Sequence, residues 1–410
     1  MYRTLCHYFS LGMLFIAAAS VAFSTAGLEI GSYLALLGFL LGGDYRGKWK
    51  IIQDQSWIVA ALVLFLIVLA CSIYTIAPWN VAVKTFSAYE KLLILPVAFY
   101  LLSQYPRARL PFLSMLIASV LANFCLGILR VHQLFLSPSS TYSDVEISHI
   151  ALSYFASVLA FFFGFLLLFR YRDLKISSRI GLGLGCLFCL DYLLMNTIGR
   201  SGLVTLVVLV FFGFYQGISQ FKAYKVSILA LLAVIALVLA AHHFSPTLNK
   251  GLDRGTHDIQ EYQEGDANTS WGIRLNFWKT TFHLVEQSPV IGYGSGSTSL
   301  EYQAYRKAHP DPNAAPMTNP HDQYLFLALE QGVVGLLTFI IFLSLLYKTD
   351  LPLLHISPKL RQYDTLLKAS VLAFAVGCLF NSWLHDVHEG YFSLLWMTTL
   401  KALLHDNESE

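Results

Sequence analysis

Tyr324-Leu-Phe-Leu-Ala-Leu-Glu330-Gln-Gly-Val-Val-Gly335-Leu-Leu-Thr-Phe-Ile-Ile-Phe-Leu-Ser-Leu-Leu-Tyr347 is an apolar stretch that a single charged residue, Glu330, interrupts. A helix needs about 20 mostly apolar residues to cross the hydrocarbon core of a bilayer. This stretch is long enough, and its sequence therefore predicts a membrane-spanning α-helix. That prediction sets the fold class, because similar stretches recur along the chain.

The composition of the whole chain points the same way. Of its 410 residues 56% are hydrophobic and only 13% are charged, and the mean hydropathy is +0.58. Soluble domains carry about 25% charged residues. Apolar stretches predict about twelve spans, centred near residues 18, 35, 65, 93, 120, 159, 187, 209, 233, 334, 374 and 397. The first stretch also resembles a signal peptide, but the apolar stretch that follows at once favours a retained helix.

The distribution of basic residues predicts the orientation of the chain. One set of loops is rich in Lys and Arg: Arg46, Lys48, Lys50, Arg107, Arg109, Arg170, Arg172, Lys175, Arg179, Lys222, Lys225, Lys348, Lys359 and Arg361. The alternate set is poor in them: Thr75–Val83, His132–Ser148, Asn196–Gly199 and His385–Gly390. The positive-inside rule places the first set and both termini in the cytoplasm.

The predicted fold class is an all-α polytopic membrane protein with one large periplasmic loop that contains short helices. Residues 1–242 would hold spans one to nine, residues 243–322 the loop, and residues 323–410 the last three spans and a cytoplasmic C-terminus. The net charge of +2 gives no case for nucleic-acid binding.

The large loop has features of folded structure. From Arg274 to Glu286, apolar residues recur at helical spacing: Leu275, Trp278, Phe282 and Val285. Pro289 and the glycines after it would end this helix. The run Gly292-Tyr-Gly294-Ser-Gly296 lacks the Lys-Ser/Thr of a phosphate-binding P-loop. It predicts a turn that could pass close to a ligand.

Two arginines are candidates for binding an anion. Arg200 lies between two apolar spans near the outer face, and an intramembrane arginine is costly. Its fixed donors suit phosphate, and Gly199 and Gly202 would let backbone N–H groups approach. Arg274 would open the loop helix, where the helix N-terminus also favours anions. The alternatives are an interfacial arginine or an ion pair with Asp191 for Arg200, and a surface salt bridge for Arg274.

His321 is the candidate for proton transfer, since histidine titrates near neutral pH. The alternative is that His321 caps the following helix or lies at the membrane interface. Asp322 is adjacent but need not orient the ring. Glu330 would lie about 13 Å deeper along the same helix at 1.5 Å per residue. An intramembrane carboxylate usually has a partner inside the protein, and the sequence does not identify it.

Two further groups could bind a metal in principle. His385-Asp-Val-His388-Glu389 places two histidines and two carboxylates in one outer loop, although their spacing matches no zinc protease motif. A solvated loop or a contact with substrate is the favoured interpretation. Cys186 and Cys189 lie in an apolar stretch, as do most of the six cysteines, and are expected to be packing residues. We therefore expect no metal or other cofactor.

Three pieces in this order carry a resemblance to a known family. They are Asn196-Thr-Ile-Gly-Arg200-Ser-Gly202, Arg274-Leu-Asn-Phe-Trp278 through Ser288-Pro-Val-Ile-Gly-Tyr-Gly294, and His321-Asp-Gln-Tyr-Leu325 through Leu329-Glu-Gln-Gly-Val-Val-Gly335. Together they resemble the O-antigen ligase and polymerase superfamily over roughly residues 190–345. Asp322 departs from the pattern, because the family often has Asn there.

The resemblance implies a GT-C-like glycosyltransferase that takes a glycan from undecaprenyl pyrophosphate on the periplasmic side of the bacterial inner membrane. Carried over by position, Arg200 and Arg274 would hold the pyrophosphate and His321 would lie at the reaction centre. The family's ligases resemble inverting enzymes that need no metal. Two arginines can stabilise the charge that develops on a leaving phosphate, and a histidine can accept the proton of the attacking hydroxyl.

The favoured function is O-antigen ligation, with a sugar hydroxyl of lipid A–core as acceptor. An O-antigen or capsule polymerase and a protein O-oligosaccharyltransferase would use the same donor with other acceptors. One dominant outer loop and moderate length favour the ligase among them. A lipid or solute transporter is the alternative from another class. It would spread polar residues through several spans near the midplane, whereas in this chain they gather at the outer face.

Overall fold

In a computed structural model of the chain, the regular secondary structure of the described residues is entirely helical. The described residues are 1–131, 147–197, 200–219, 224–245, 249, 253, 257–258, 260–261, 264, 269–310, 317–349 and 357–405. Most of the predicted outer loop His132–Ser148, and also Gly199 and Lys222, lie outside them.

Sixteen α-helices make up most of the described part of the chain. In chain order they are α1 (Tyr2–Ser20), α2 (Thr25–Leu41), α3 (Tyr45–Gln53), α4 (Ser56–Cys71), α5 (Trp79–Ser87), α6 (Ile94–Gln104), α7 (Pro106–Val131), α8 (His149–Phe169), α9 (Ile176–Asp191), α10 (Arg200–Ser219), α11 (Tyr224–Phe244), α12 (Ser270–Gln287), α13 (Thr298–Ala308), α14 (Gln323–Tyr347), α15 (Pro358–Gly377) and α16 (Val387–His405). A short 3₁₀ helix, Glu90–Leu93, precedes α6, and a π-helical turn, Tyr192–Asn196, follows α9.

The polytopic helical class is confirmed. Every predicted span centre lies on one of these helices. Among the described residues, 5 helices are long and apolar enough to cross a membrane, or up to 7 if two bent pairs each count as one span. The bent pairs join α2 to α3 at 118° and α5 to the segment Glu90–Gln104 at 41°. The count of about twelve spans and the GT-C likeness stay predictions.

The predicted centre of the first span, near residue 18, lies close to the C-terminal end of α1 rather than at its middle. Helix α1 ends at Ser20, and the side chain of Ser24 then caps α2 by accepting a hydrogen bond from the Gly27 amide at 3.0 Å. The two helices pack closely, because a Cβ on Gly31 would lie 2.8 Å from the Ala17 nitrogen. Hydropathy extends across this turn and does not show it.

Helix α14 is kinked at Gly332, which has φ 65° and ψ −164°. The segment after α12 docks into the kink: the Tyr293 amide donates to the Leu329 carbonyl at 3.0 Å, and the Gly294 amide donates to the Glu330 carbonyl at 2.9 Å. A Cβ on Gly292 would lie 2.5 Å from the Leu329 oxygen. Gly292 of the predicted turn therefore serves a close approach to another helix.

Glu330 has its partner on the segment that docks there. The Thr298 hydroxyl donates to its Oε1 at 2.7 Å, and the backbone amides of Gly296 and Thr298 also donate to the carboxylate. Glu330 is 1% exposed. Its carboxylate thus holds the start of α13 against the kink of α14.

Helix α12 confirms the predicted helix but not its details. It begins at Ser270, so Arg274 lies in its second turn rather than at its N-terminus. Of the apolar residues at helical spacing, Phe282 is exposed. The buried apolar side chains of this helix include Phe277 and Leu284, and Phe277 packs with Tyr302 and Met317 in a small core within the loop. Both faces of α12 carry apolar residues, so spacing alone could not choose between them.

Candidate active site

Arg200, the first residue of α10, pairs with an acidic residue of the polar segment. Its Nη1 and Nη2 lie 3.4 and 3.3 Å from Oδ2 of Asp258. The side chains of Arg200 and Asp258 are 29% and 13% exposed. An ion pair was the alternative expectation for Arg200, but its partner is Asp258 and not Asp191. The carboxylate of Asp191 instead accepts a hydrogen bond from Asn196 at 3.4 Å.

Gly202 lies in close contact with α8 at the start of α10. A Cβ there would lie 2.5 Å from the Ser153 carbonyl oxygen on α8. The Ser157 hydroxyl donates to the Gly202 carbonyl at 2.7 Å. Gly202 therefore allows α10 to pack against α8, and this packing fixes the position of Arg200.

Thr269 links the Asp258 backbone to the helix that carries Arg274. Its hydroxyl donates to the Asp258 carbonyl at 3.2 Å and accepts from the Gly272 amide at 3.0 Å, which caps α12. A threonine in this position satisfies one of the free amides at a helix N-terminus. The cap thus links the backbone of Asp258 to the start of α12.

Arg274 lies within electrostatic range of both members of the Arg200–Asp258 pair. Burial lowers the pKa of Arg274, the positive charge of Arg200 lowers it further, and Asp258 opposes the shift. Within the described residues its guanidinium makes no hydrogen bond or ion pair. Two guanidinium groups and one carboxylate leave a net positive charge in this trio. Such a partly buried cationic site suits an anion, phosphate above all.

His321 is held from two sides. Its backbone, with φ 54°, is in the left-handed region, and its amide donates to Oδ1 of Asn319 at 2.8 Å. The same oxygen accepts a hydrogen bond from the Ser382 hydroxyl at 2.7 Å. The ring Nδ1 lies 2.9 Å from Oδ1 of Asn381. Since an amide oxygen only accepts, the ring hydrogen is on Nδ1 and Nε2 keeps its lone pair.

Helix α12 supports the same histidine from the other face. The rings of Phe277 and His321 are nearly parallel, at 15°, with centroids 6.5 Å apart. The indole of Trp278 donates to the Pro320 carbonyl at 3.1 Å. Phe277 and Trp278 lie about one helical turn after Arg274 on α12, and the charge of Arg274 acts on His321. The three residues singled out in the sequence therefore belong to one continuous region.

The protonation of His321 follows from this setting. Burial lowers the pKa of His321, and the nearby charge of Arg274 lowers it further, while the hydrogen bond to Asn381 raises it. The net shift is downward, so the ring is neutral at neutral pH. A neutral imidazole with a free Nε2 can accept a proton.

Asp322, and not His321, caps the following helix. Its side chain accepts a hydrogen bond from the Leu325 amide at 2.9 Å. Burial raises the pKa of Asp322 to about 6. This settles one alternative for His321, because the capping role belongs to its neighbour.

The two histidines of the His385–Glu389 cluster contact residues at or near the ends of other helices. The ring of His385 packs edge-on against Phe326, with centroids 5.0 Å apart, and burial lowers its pKa to about 4. Nδ1 of His388 lies 2.9 Å from the Val21 carbonyl and Nε2 lies 3.1 Å from the Thr25 hydroxyl. Among the described residues, no group of three His, Cys, Asp or Glu side chains could hold a metal ion.

Sequence reasoning missed three members of the region: Asp258, Asn319 and Asn381. Asn319-Pro precedes the histidine directly, and its position beside a candidate base was an available indication. Asn381 comes directly after a predicted span, but nothing local connects it with a residue some sixty positions earlier. Asp258 is one of several acidic residues in a polar stretch, and no pattern distinguishes it.

Comparison with known proteins finds a family that is similar to this part of the chain. Residues 183–340 match the family described as "O-Antigen ligase". The match includes Arg200, Arg274 and His321 and agrees with the resemblance in the sequence motifs. An uncharacterized protein of Haemophilus influenzae is 24% identical over 98 residues, which are 23% of this chain and 25% of that protein. The aligned part thus spans about a quarter of that relative.

Proposed function

We propose, from the match of residues 183–340 to the family described as "O-Antigen ligase", that this chain is an O-antigen ligase of the bacterial inner membrane. It transfers a glycan from undecaprenyl pyrophosphate to a sugar hydroxyl of lipid A–core at the periplasmic face. The residues that carry this reaction are Arg200, Arg274 and His321.

The two arginines bind the pyrophosphate of the donor. The bond between the anomeric carbon and the phosphate oxygen breaks during transfer, and its electrons leave with the lipid pyrophosphate. Arg200 and Arg274 stabilise the negative charge that develops there. In the structure Arg200 pairs with Asp258 at 3.3 Å, so the donor must compete with this carboxylate for the guanidinium. Arg274 is free of such a pair among the described residues and can meet the phosphate directly.

His321 acts as the general base. Its Nε2 accepts the proton of the acceptor hydroxyl while that oxygen attacks the anomeric carbon from the face opposite the leaving pyrophosphate. The reaction therefore inverts the anomeric configuration. Asn381 holds Nδ1–H at 2.9 Å and keeps Nε2 available. The guanidinium groups supply the charge stabilisation that a metal ion would otherwise give, so we expect the transfer to be metal-independent.

The observation that supports this function most directly is the proximity of the two chemical groups. Arg274 interacts electrostatically with Arg200. One helical turn after Arg274 on α12, the ring of Phe277 faces the ring of His321. Arg200, Arg274 and His321 come from three separate parts of the chain. Cation and base must lie on either side of one reacting carbon for this chemistry. The neighbouring apolar helices provide walls for a lipid-linked donor.

The experiment is complementation of a strain that lacks its own ligase, with capped lipopolysaccharide read as a ladder on a gel. Arg200→Ala, Arg274→Ala and His321→Ala are each expected to abolish the ladder while the protein is still inserted at the wild-type level. Lys279→Ala is the matched control, since Lys279 is an exposed residue of the helix that carries Arg274. A full ladder from all three site variants would show that the assignment is wrong. Longer lipid-linked chains without capped core would identify a polymerase instead.

A further inference from the structure

Helix α4 is too short to cross a bilayer by itself. It has 16 residues, and at 1.5 Å per residue it is about 24 Å long against a hydrocarbon core of about 30 Å. The positive-inside rule puts its first residue, Ser56, on the cytoplasmic side, because Lys48 and Lys50 precede it. Its last residue, Cys71, therefore lies inside the outer leaflet, where the last carbonyls of a helix cannot be left without donors.

The donors come from the loop that the sequence assigns to the periplasm. The Ser295 amide donates to the Cys71 carbonyl at 3.2 Å, and the Ser295 hydroxyl donates to the Val68 carbonyl at 2.7 Å. The approach is close, since a Cβ on Gly294 would lie 2.6 Å from the Cα of Thr75. The segment around Ser295 thus caps α4 at the depth where that helix ends.

Helix α14 gives an independent measure of the same depth. The Val333 amide donates to the Pro289 carbonyl at 2.8 Å. Val333 directly follows the kink at Gly332, and the helical part of α14 before the kink, residues 323–331, is about 13 Å long at 1.5 Å per residue. Pro289 therefore lies well below the outer end of α14. Both helices place the same segment inside the membrane.

Much of the backbone of this segment is hydrogen-bonded, as irregular backbone in a membrane must be. The Val290 carbonyl accepts from the Val334 amide at 3.4 Å, and the Ile291 carbonyl accepts from the Tyr74 hydroxyl. The Gly292 carbonyl accepts from the Ser288 hydroxyl at 2.9 Å. On the donor side, residues 293–298 bond to α14, α4, the Glu330 carboxylate and one another.

The outward side of the segment is apolar. Val290 is 58% exposed and Ile291 is 53% exposed. They lie beside Val333 and Val334 of α14, which are also exposed and apolar. The patch of Val290 and Ile291 thus continues the lipid-facing surface of a spanning helix.

We propose that residues 288–298 form a re-entrant segment in the outer leaflet, with Val290 and Ile291 in contact with the acyl chains of lipids. The polar loop between α11 and α14 is then not wholly periplasmic, because its middle returns into the membrane after α12. The segment fixes α12, and with it Arg274, to the lipid phase next to the site.

Photo-crosslinking in native membranes tests this placement. Ile291, or in a second variant Val290, is replaced by p-benzoylphenylalanine, and adducts with phospholipid are measured after irradiation. Leu337, an exposed residue of α14, is the lipid-facing control, and Lys307, an exposed residue of α13, is the water-facing control.

The expected result is a phospholipid adduct at 290 and 291 at a yield similar to that at 337, and none at 307. Absence of adducts at both 290 and 291, with the 337 adduct present, would overturn the proposal. Adducts at 290 and 291 with another protein instead of lipid would also overturn it, since the patch would then be a protein interface.

Discussion

Nδ1 of His321 lies 2.9 Å from the amide oxygen of Asn381, so the segment between α15 and α16 orients a residue that precedes α14. The amide oxygen fixes the ring hydrogen on Nδ1 and leaves Nε2 as the acceptor. Burial and the charge of Arg274 lower the pKa of His321. The base form is therefore expected to persist below pH 6.5, the ordinary pKa of histidine.

Asn381→Asp tests this relationship through the pH dependence of transfer. A carboxylate in place of the amide stabilises the imidazolium, so the pKa of His321 rises by about one unit or more. The base form is then lost at higher pH. The acidic limb of initial rate against pH should move upward by that amount, from a wild-type limb that lies below 6.5. The measurement is glycan transfer by purified protein in lipid nanodiscs.

Asn80→Asp is the control for the added charge, because Asn80 is an exposed residue of α5. It should keep the wild-type profile. Identical profiles for the wild type and Asn381→Asp would mean that His321 is not the titrating base.

Asp258→Ala should strengthen binding of the lipid-linked donor. The carboxylate pairs with Arg200 at 3.3 Å and competes with phosphate for the same guanidinium. A partly exposed pair contributes up to about 1 kcal/mol, so the donor KM should fall about threefold to fivefold. The backbone carbonyl of Asp258 still accepts from Thr269 after the change, which preserves the link to α12.

Steady-state kinetics with varied donor and fixed acceptor measure this effect. Glu261→Ala removes a nearby carboxylate that pairs with His257 instead, and it should leave the donor KM unchanged. A higher KM in Asp258→Ala would show that Asp258 positions Arg200 rather than competing with the donor.

The sequence identified the charged members of the site because each stands in an unusual setting. Arg200 begins an apolar span, and His321 directly precedes one. Asp258 and Asn381 could not be found in this way, since each gains its role from a contact with a residue far along the chain. Local composition contains no information about such contacts.

The same limit applies to the fold. Hydropathy located the helices, but the kink at Gly332 depends on the Val290 segment, which comes about forty positions earlier and fills it. The buried face of α12 depends on Tyr302 and Met317, which cover Phe277. A helix kink or a buried helix face that depends on a distant segment can therefore be identified only from the folded structure.

Thr298→Val should destabilise the protein by about 1–3 kcal/mol. It removes the hydroxyl that donates to the buried Glu330 side chain at 2.7 Å, and a buried acceptor left with fewer donors is costly. Thr338→Val is the matched control, because the Thr338 hydroxyl bonds only to the Val334 carbonyl of its own helix. The control should lie within about 0.5 kcal/mol of wild type. Unfolding in detergent measures both, and equal stabilities would mean that Glu330 does not depend on Thr298.

Gly332→Ala should cost more than about 2 kcal/mol, because its φ of 65° and ψ of −164° lie in a region that is almost confined to glycine. The added Cβ would also lie 2.2 Å from the Val290 carbonyl oxygen. Relief of that contact requires the re-entrant segment to leave α14, so transfer activity should fall together with the melting temperature. Gly181→Ala is the control: this helical glycine of α9 has nothing within 4 Å of an added Cβ, and alanine there should be neutral or stabilise by up to about 1 kcal/mol. If Gly332→Ala melted at the same temperature as Gly181→Ala, the kink of α14 would not depend on the docked segment.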